Sequence, residues 1–322
     1  MFTLRTFTLS DGVVVTYGDA PGPSANAPVI ILLPGQKRIA PGKLGGDFIP
    51  EQVQFLTERF RVISWNYRLQ NYVGEETNVL RMAKDLAAFL ESENLHNVCL
   101  YAYSFGGMVA ARTAVLAADR LHCMVFLNTF PTLSYEWFGF NRLSLRFLLH
   151  LFVIPSASSS HIRESMYPSF RQRPQGYRSW IGVGSNWIMN RNIGGFWHKV
   201  WSPRIWSGMQ DNVSPLLPSI STPSLILGGM ADAACLLESA HTLAHGLPNN
   251  ELVILEDAGH YTVRIWPEAF NRPIRDYLIR QYAFPADALP LVHTEPPSRL
   301  TTPRILRTLV VQYWQWLRSR FV

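Results

Sequence analysis

The chain has 322 residues, 48% hydrophobic, 16% charged and 12% aromatic, which excludes a disordered or collagen-like chain and provides for one large core or two smaller ones. Its net charge of +6 is unevenly placed: residues 131–210 carry +7, residues 299–322 carry +5, and the rest carries −6. A nucleic-acid binder would set a basic stripe on its main fold; this pattern instead implies two basic accessory segments on a mildly acidic body, and no nucleic-acid partner is expected.

In chain order, period-2 stretches at 3–9 and 13–17 flank Ser10-Asp11-Gly12 and predict an opening β-hairpin. These first residues alternate apolar and polar, with no secretory hydrophobic segment. The apolar run 29–33 suits a buried parallel strand. Ile49, Val53, Leu56 and Phe60 share one helical face, and 62–65 reads as a strand. A helix follows over 75–93, with Glu75 and Glu76 at its positive end. Strand 97–103, helix 108–118 and strand 121–128 come next. After a long middle segment the alternation resumes as strand 224–228, helix 236–245, strand 252–255 and helix 267–281. Strands alternating with helices indicate an α/β fold, a mostly parallel sheet covered on both faces.

The chemistry is written at Ala102-Tyr103-Ser104-Phe105-Gly106, a serine between strand and helix with small residues two before and two after. A nucleophile elbow needs that arrangement, because the serine backbone is strained and bulky neighbours would collide. On this string alone, a strand-to-helix turn without chemistry is the alternative. Three other strand ends supply context. Strand 29–33 runs into Pro34-Gly35-Gln36, where an oxyanion loop would lie; strand 224–228 leads to Asp232; the next leads to Gly259-His260. Serine, acid and histidine thus follow in order at carboxyl ends of strands, where open α/β sheets place their sites.

Together these features resemble the α/β-hydrolase fold family over residues 1–282, on the elbow, the order of the three residues, and Gly259-His260 followed by Trp266-Pro267-Glu268. The resemblance implies a core of 1–130 and 211–282 with a helical cap inserted at 131–210. It also implies Ser104 as nucleophile, His260 as general base and Asp232 as the acid orienting it, with the backbone N–H groups of Phe105 and Gln36 as oxyanion hole. The logic is physical as well: a serine hydroxyl attacks poorly until an imidazole takes its proton, and a carboxylate fixes the imidazole's tautomer. There are departures. Pro34-Gly35 stands where the family often has His-Gly, removing a side chain that braces the loop. Asn66-Tyr67-Arg68-Leu69-Gln70 lacks the glycines usual after the second core strand, and Ala233-Ala234-Cys235 follows Asp232 in place of a proline. Asp257 is the competing acid, but it lies too near His260 along the loop to orient it easily.

The expected activity is a serine hydrolase cleaving an ester or related acyl bond of a lipophilic small molecule through an acyl-enzyme. The alternatives are a non-catalytic receptor or scaffold keeping the pocket, and an acyltransferase or lyase using the same triad. Pro34, Gly35, Tyr103, Trp137 and Trp187 are the candidate substrate-lining residues, and no cofactor or metal is expected. His241 and His245, four apart on a helix, read as solvent-facing rather than as metal ligands. Cys99, Cys123 and Cys235 are too few and scattered for a disulfide framework or zinc site; they are read as reduced, in a cytoplasmic protein. The insertion interleaves tryptophans with arginines, which suits either a cap packed on the core or a lipophilic pocket with a membrane-facing rim. A proline-punctuated linker from 283 leads to an amphipathic stretch at 304–322, whose expected roles are docking on the body, homodimer pairing or peripheral membrane contact.

Overall fold

A computed structural model describes residues 2–35, 48, 50–68, 78–132, 211–230, 232, 235, 237–256, 258, 263 and 266–291. The chain opens with the expected hairpin of β1 (Thr3–Thr8) and β2 (Val14–Ala20), Thr8 lying opposite Val14. Its turn closes through Leu9 N–H to Val13 O at 2.8 Å and Val13 N–H to Asp11 Oδ1 at 3.2 Å. Gly12 takes φ +81° there, a conformation that costs a residue without Cβ nothing.

Six further strands complete an eight-stranded sheet: β3 (Val29–Leu33), β4 (Arg61–Trp65), β5 (Val98–Tyr103), β6 (Leu121–Leu127), β7 (Ser224–Gly229) and β8 (Asn250–Leu255). Their spatial order is β1-β2-β4-β3-β5-β6-β7-β8. Both pairings of β2 are antiparallel and all pairings from β4 to β8 are parallel. The central strands β3 and β5 are buried end to end, as covering on both faces demands. Alternate residues then split the core. Ile31, Leu33, Leu100 and Ala102 pack with α2 (Val79–Ser92) and α3 (Gly106–Leu116) on one face. Ile30, Leu32, Cys99 and Tyr101 pack on the other with α5 (Pro267–Tyr282) and the short α1 (Pro50–Val53). A further helix, α4 (Leu237–Gly246), joins the first face through Ala240 and Leu243.

Two element expectations change. The helical face at 49–60 is a four-residue helix running into a 3₁₀ segment, Gln54–Glu58, and Arg59 and Phe60 both donate to Leu56 O. Tightening the turn in this way delivers Phe60 into the core immediately before β4 begins. The helix expected over 75–93 begins at Val79, capped by Asn78, whose side chain accepts the Arg81 N–H at 2.7 Å; Glu75 and Glu76 lie outside the described residues.

Beyond β6 the chain departs and returns at one place. Thr132 bridges Asn212 in antiparallel fashion, Val213 N–H donates to Pro131 O at 2.9 Å, and Arg112 of α3 pairs with Asp211. That clasp is what an insertion into a finished sheet requires. The cap expected at 131–210 falls, from residue 133 on and with Trp137 and Trp187, outside the described residues, as does the C-terminal stretch at 304–322. Among the described residues, no helix is long and apolar enough to cross a membrane.

Candidate active site

Between the end of β5 and the start of α3 only Ser104 and Phe105 are available to reverse the chain. Ser104 takes φ +53°, a left-handed conformation costing an ordinary residue ~1–2 kcal/mol. Its surroundings fix it there. The Ser104 N–H donates to Leu127 O of β6 at 3.0 Å, and its carbonyl accepts the Gly107 N–H at 3.0 Å and the Thr129 hydroxyl. The small residues expected from the sequence have a measurable reason. A Cβ on Gly106 would stand 2.3 Å from Leu33 O and 3.0 Å from Pro34 O, and one on Gly107 only 1.9 Å from Thr129 Oγ1. The end of β3 is therefore pressed directly against the first turn of α3.

That contact assembles the region expected to receive an oxyanion. Phe105, fully buried, follows Ser104 at the positive end of α3, where the first N–H groups have no intrahelical acceptor. Pro34 and Gly35 are buried at the end of β3; Gln36 lies outside the described residues. The Tyr67 hydroxyl, buried beyond β4, donates to Pro34 O at 2.9 Å, and the Tyr67 ring meets the Phe105 ring edge-on at 5.9 Å and 85°. Tyr103 points to the opposite face of β5, into the core near Phe48.

Asp232 follows β7 and is 4% exposed. Its N–H donates to Gly229 O at 3.1 Å, and its Oδ1 accepts the Cys235 N–H at 2.8 Å, a turn that fixes the carboxylate. Burial pushes the Cys235 thiol well above its usual range, the nearby Asp232 carboxylate adds to the rise, and the Ser104 side chain opposes it. Neighbouring strand ends are tied in as well: Asn128 Oδ1, beyond β6, accepts the Gly229 N–H at 3.2 Å. A Cβ on Gly229 would lie 2.4 Å from Ala258 O, so the loop leading to residue 260 abuts the end of β7. His260 and Asp257 themselves lie outside the described residues.

Sequence reasoning singled out Ser104, Asp232 and the Pro34-Gly35 turn, which all stand at one edge of the sheet. It missed Cys235, seen only as a missing proline, and Tyr67, seen only as a missing glycine. Among the described residues no group of three or more His, Cys, Asp or Glu side chains is placed to hold a metal. His241 and His245 are exposed on α4, His245 Nδ1 bonding the carbonyl of His241 at 2.7 Å.

Comparison with known proteins agrees with this fold. Residues 30–277 match the model of the Alpha/beta hydrolase family. The protein named "Putative carbamate hydrolase RutD" of Pseudomonas syringae pv. syringae is 24% identical over 267 residues, 80% of this chain and 96% of that protein. Among solved structures, an esterase from Exiguobacterium antarcticum superposes with a TM-score of 0.60 at 17% identity, over 85% of this chain and 98% of the other. The meta-cleavage product hydrolase CumD of Pseudomonas fluorescens gives 0.58 at 15%, over 86% and 97%. The chain belongs to the alpha/beta hydrolase family and is a hydrolase of that family.

Proposed function

We propose that the protein hydrolyses an ester or related acyl bond of a lipophilic small molecule, with Ser104 as nucleophile and an acyl-enzyme as intermediate. The observation that supports this most is the left-handed Ser104 held at the N-terminus of α3 by bonds from β6 and Thr129. A strained serine over-determined by its surroundings is preorganised for chemistry rather than for stability.

In this reading His260 takes the Ser104 proton as Oγ attacks the acyl carbonyl, and Asp232 holds the imidazole in the required tautomer. Negative charge collects on the former carbonyl oxygen, where the Phe105 and Gln36 N–H groups receive it; such donors are each worth about 10²–10³ in rate. The intermediate collapses when His260 returns the proton to the leaving group. Water, deprotonated by the same histidine, then releases the acid and restores the serine. No cofactor enters.

A lipophilic substrate is inferred from the aromatic insertion: Trp137 and Trp187 lie in the stretch whose two ends are clasped at Thr132 and Asn212, beside the strand ends that carry the site. The test is turnover of p-nitrophenyl esters of increasing acyl length by the wild type, Ser104→Ala and His260→Ala. The reading requires activity that rises with acyl length, is abolished in the first variant and strongly reduced in the second. Wild-type protein inert toward every ester and thioester would point to a receptor-like role.

A further inference from the structure

The family resemblance leaves one vacancy in this chain: the oxyanion loop carries Pro34-Gly35 and so lacks a side chain of its own to brace it. We propose that Tyr67 supplies the brace, as a positioning residue that fixes the end of β3 against the start of α3, where the Phe105 N–H lies. This rests on the reading of Ser104 as nucleophile and of the Phe105 and Gln36 N–H groups as the donors.

Pro34 has no N–H, so its carbonyl is the only backbone group through which that residue can be held. The Tyr67 hydroxyl donates to that carbonyl at 2.9 Å in a buried setting, which fixes the plane of the Pro34–Gly35 peptide. The same tyrosine ring stands edge-on against Phe105, whose N–H is one of those donors. The Pro34 carbonyl also sits over Gly106, so strand end, tyrosine and helix start meet at one point.

Tyr67 is itself held firmly. It is 1% exposed, and it lies between the fully buried Asn66 and Arg68. The Arg68 guanidinium grips Asp85 of α2 through two bonds of 2.6 and 2.7 Å and reaches Asp11 of the opening hairpin at 3.0 Å. The tyrosine thus stands on backbone fixed on one side by β4 and on the other by a buried ion pair. A residue that only filled space here would need neither the hydroxyl nor its direction.

Tyr67→Phe removes the hydroxyl and keeps the ring against Phe105. With p-nitrophenyl butyrate the expected result is a fall in kcat of about ten- to a hundred-fold, less than or equal to the loss of a donor itself, with KM changed less than about two-fold. The inhibition constant of an aryl trifluoromethyl ketone, whose adduct with Ser104 places an oxyanion in the hole, should weaken by the same factor as kcat/KM. The melting temperature should drop only a few degrees. Trp65→Phe, a buried change on the adjoining strand, serves as control for destabilisation and should leave kcat unaltered. Tyr67→Phe with wild-type kcat and unaltered ketone affinity overturns the proposal and leaves the hydrolase intact. Equal losses in Tyr67→Phe and Trp65→Phe also overturn it, because general loosening then explains the effect. Wild-type protein without turnover or ketone binding overturns the reading of Ser104, and the brace falls with it.

Discussion

Gly106→Ala is the substitution whose consequence the geometry fixes most tightly. The added methyl would be placed 2.3 Å from Leu33 O, 2.9 Å from Leu33 C and 3.0 Å from Pro34 O. All three are backbone atoms at the end of β3, and Leu33 is paired with Ala102 of β5 in the parallel ladder. No rotamer change relieves such a clash; either α3 withdraws from the sheet or the strand end moves. Forcing one methyl into a close-packed core costs ~1–3 kcal/mol when side chains can adjust, and backbone movement places this case at the upper end. For a domain of this size each kcal/mol lowers Tm by roughly 2–4 °C, so a loss of about 6–12 °C is expected by differential scanning fluorimetry. Displacing the Pro34 carbonyl moves the end of β3 beside Ser104, so labelling by a fluorophosphonate probe should slow more than about ten-fold at temperatures where the variant remains folded. Gly228→Ala is the comparison: its Cβ would meet only side-chain carbons, at 3.0 Å from Ala240 Cβ and 3.2 Å from Ile254 Cδ1, and labelling should persist. A Gly106→Ala protein that melts within a degree of wild type and labels at the same rate would refute the close approach of β3 and α3 on which the site is built.

Arg68→Met leaves Asp85 buried without its bidentate partner, the two side chains being 1% and 6% exposed, so ~3–5 kcal/mol should be lost in chemical denaturation; Arg68→Met combined with Asp85→Leu should recover much of it. Burial pushes the Cys99 and Cys235 thiols and the Tyr101, Tyr277 and Tyr282 phenols upward. Unfolded, these groups ionise at their ordinary values of ~8.5 and ~10, so the unfolded chain releases protons that the folded one retains, and stability is complete below about pH 8 and falls above it. Melting curves from pH 6 to 11 should show a plateau followed by a decline; a flat profile to pH 11 contradicts the burial of these groups. Cys235 stays protonated beside Ser104, so iodoacetamide at pH 7.5 should leave fluorophosphonate labelling intact in the native protein, whereas all three thiols should be alkylated after denaturation.

The sheet was legible because its strands are short apolar runs punctuated by turn residues, and those at 29–33, 62–65 and 224–228 match β3, β4 and β7 to within one residue. The turn at Ser104 was legible for a local reason: the small residue at 106 is demanded by the Leu33 and Pro34 backbone pressed against it. The same locality marks the limit. Tyr67 acquires its role by reaching from the end of one strand to the end of another, 33 residues away in sequence, and no periodicity records such a bond. Cys235 acquires its part by donating its N–H to Asp232 Oδ1 at 2.8 Å, a bond that a missing proline does not announce. The helix expected at 49–60 failed because apolar spacing of three and four fits a 3₁₀ segment and an α-helix almost equally over so short a span. The choice of Asp232 over Asp257 rests on the sequence, and residue 257 lies outside the described residues.

The central claim is that Ser104 is the nucleophile of a hydrolase. It is tested most directly by treating the protein with a fluorophosphonate, digesting it, and locating the phosphonylated residue by mass spectrometry. A single adduct on Ser104 is expected, formed by the wild type, absent in Ser104→Ala and greatly slowed in His260→Ala. An adduct on another residue, or wild-type protein that acquires none, would contradict it.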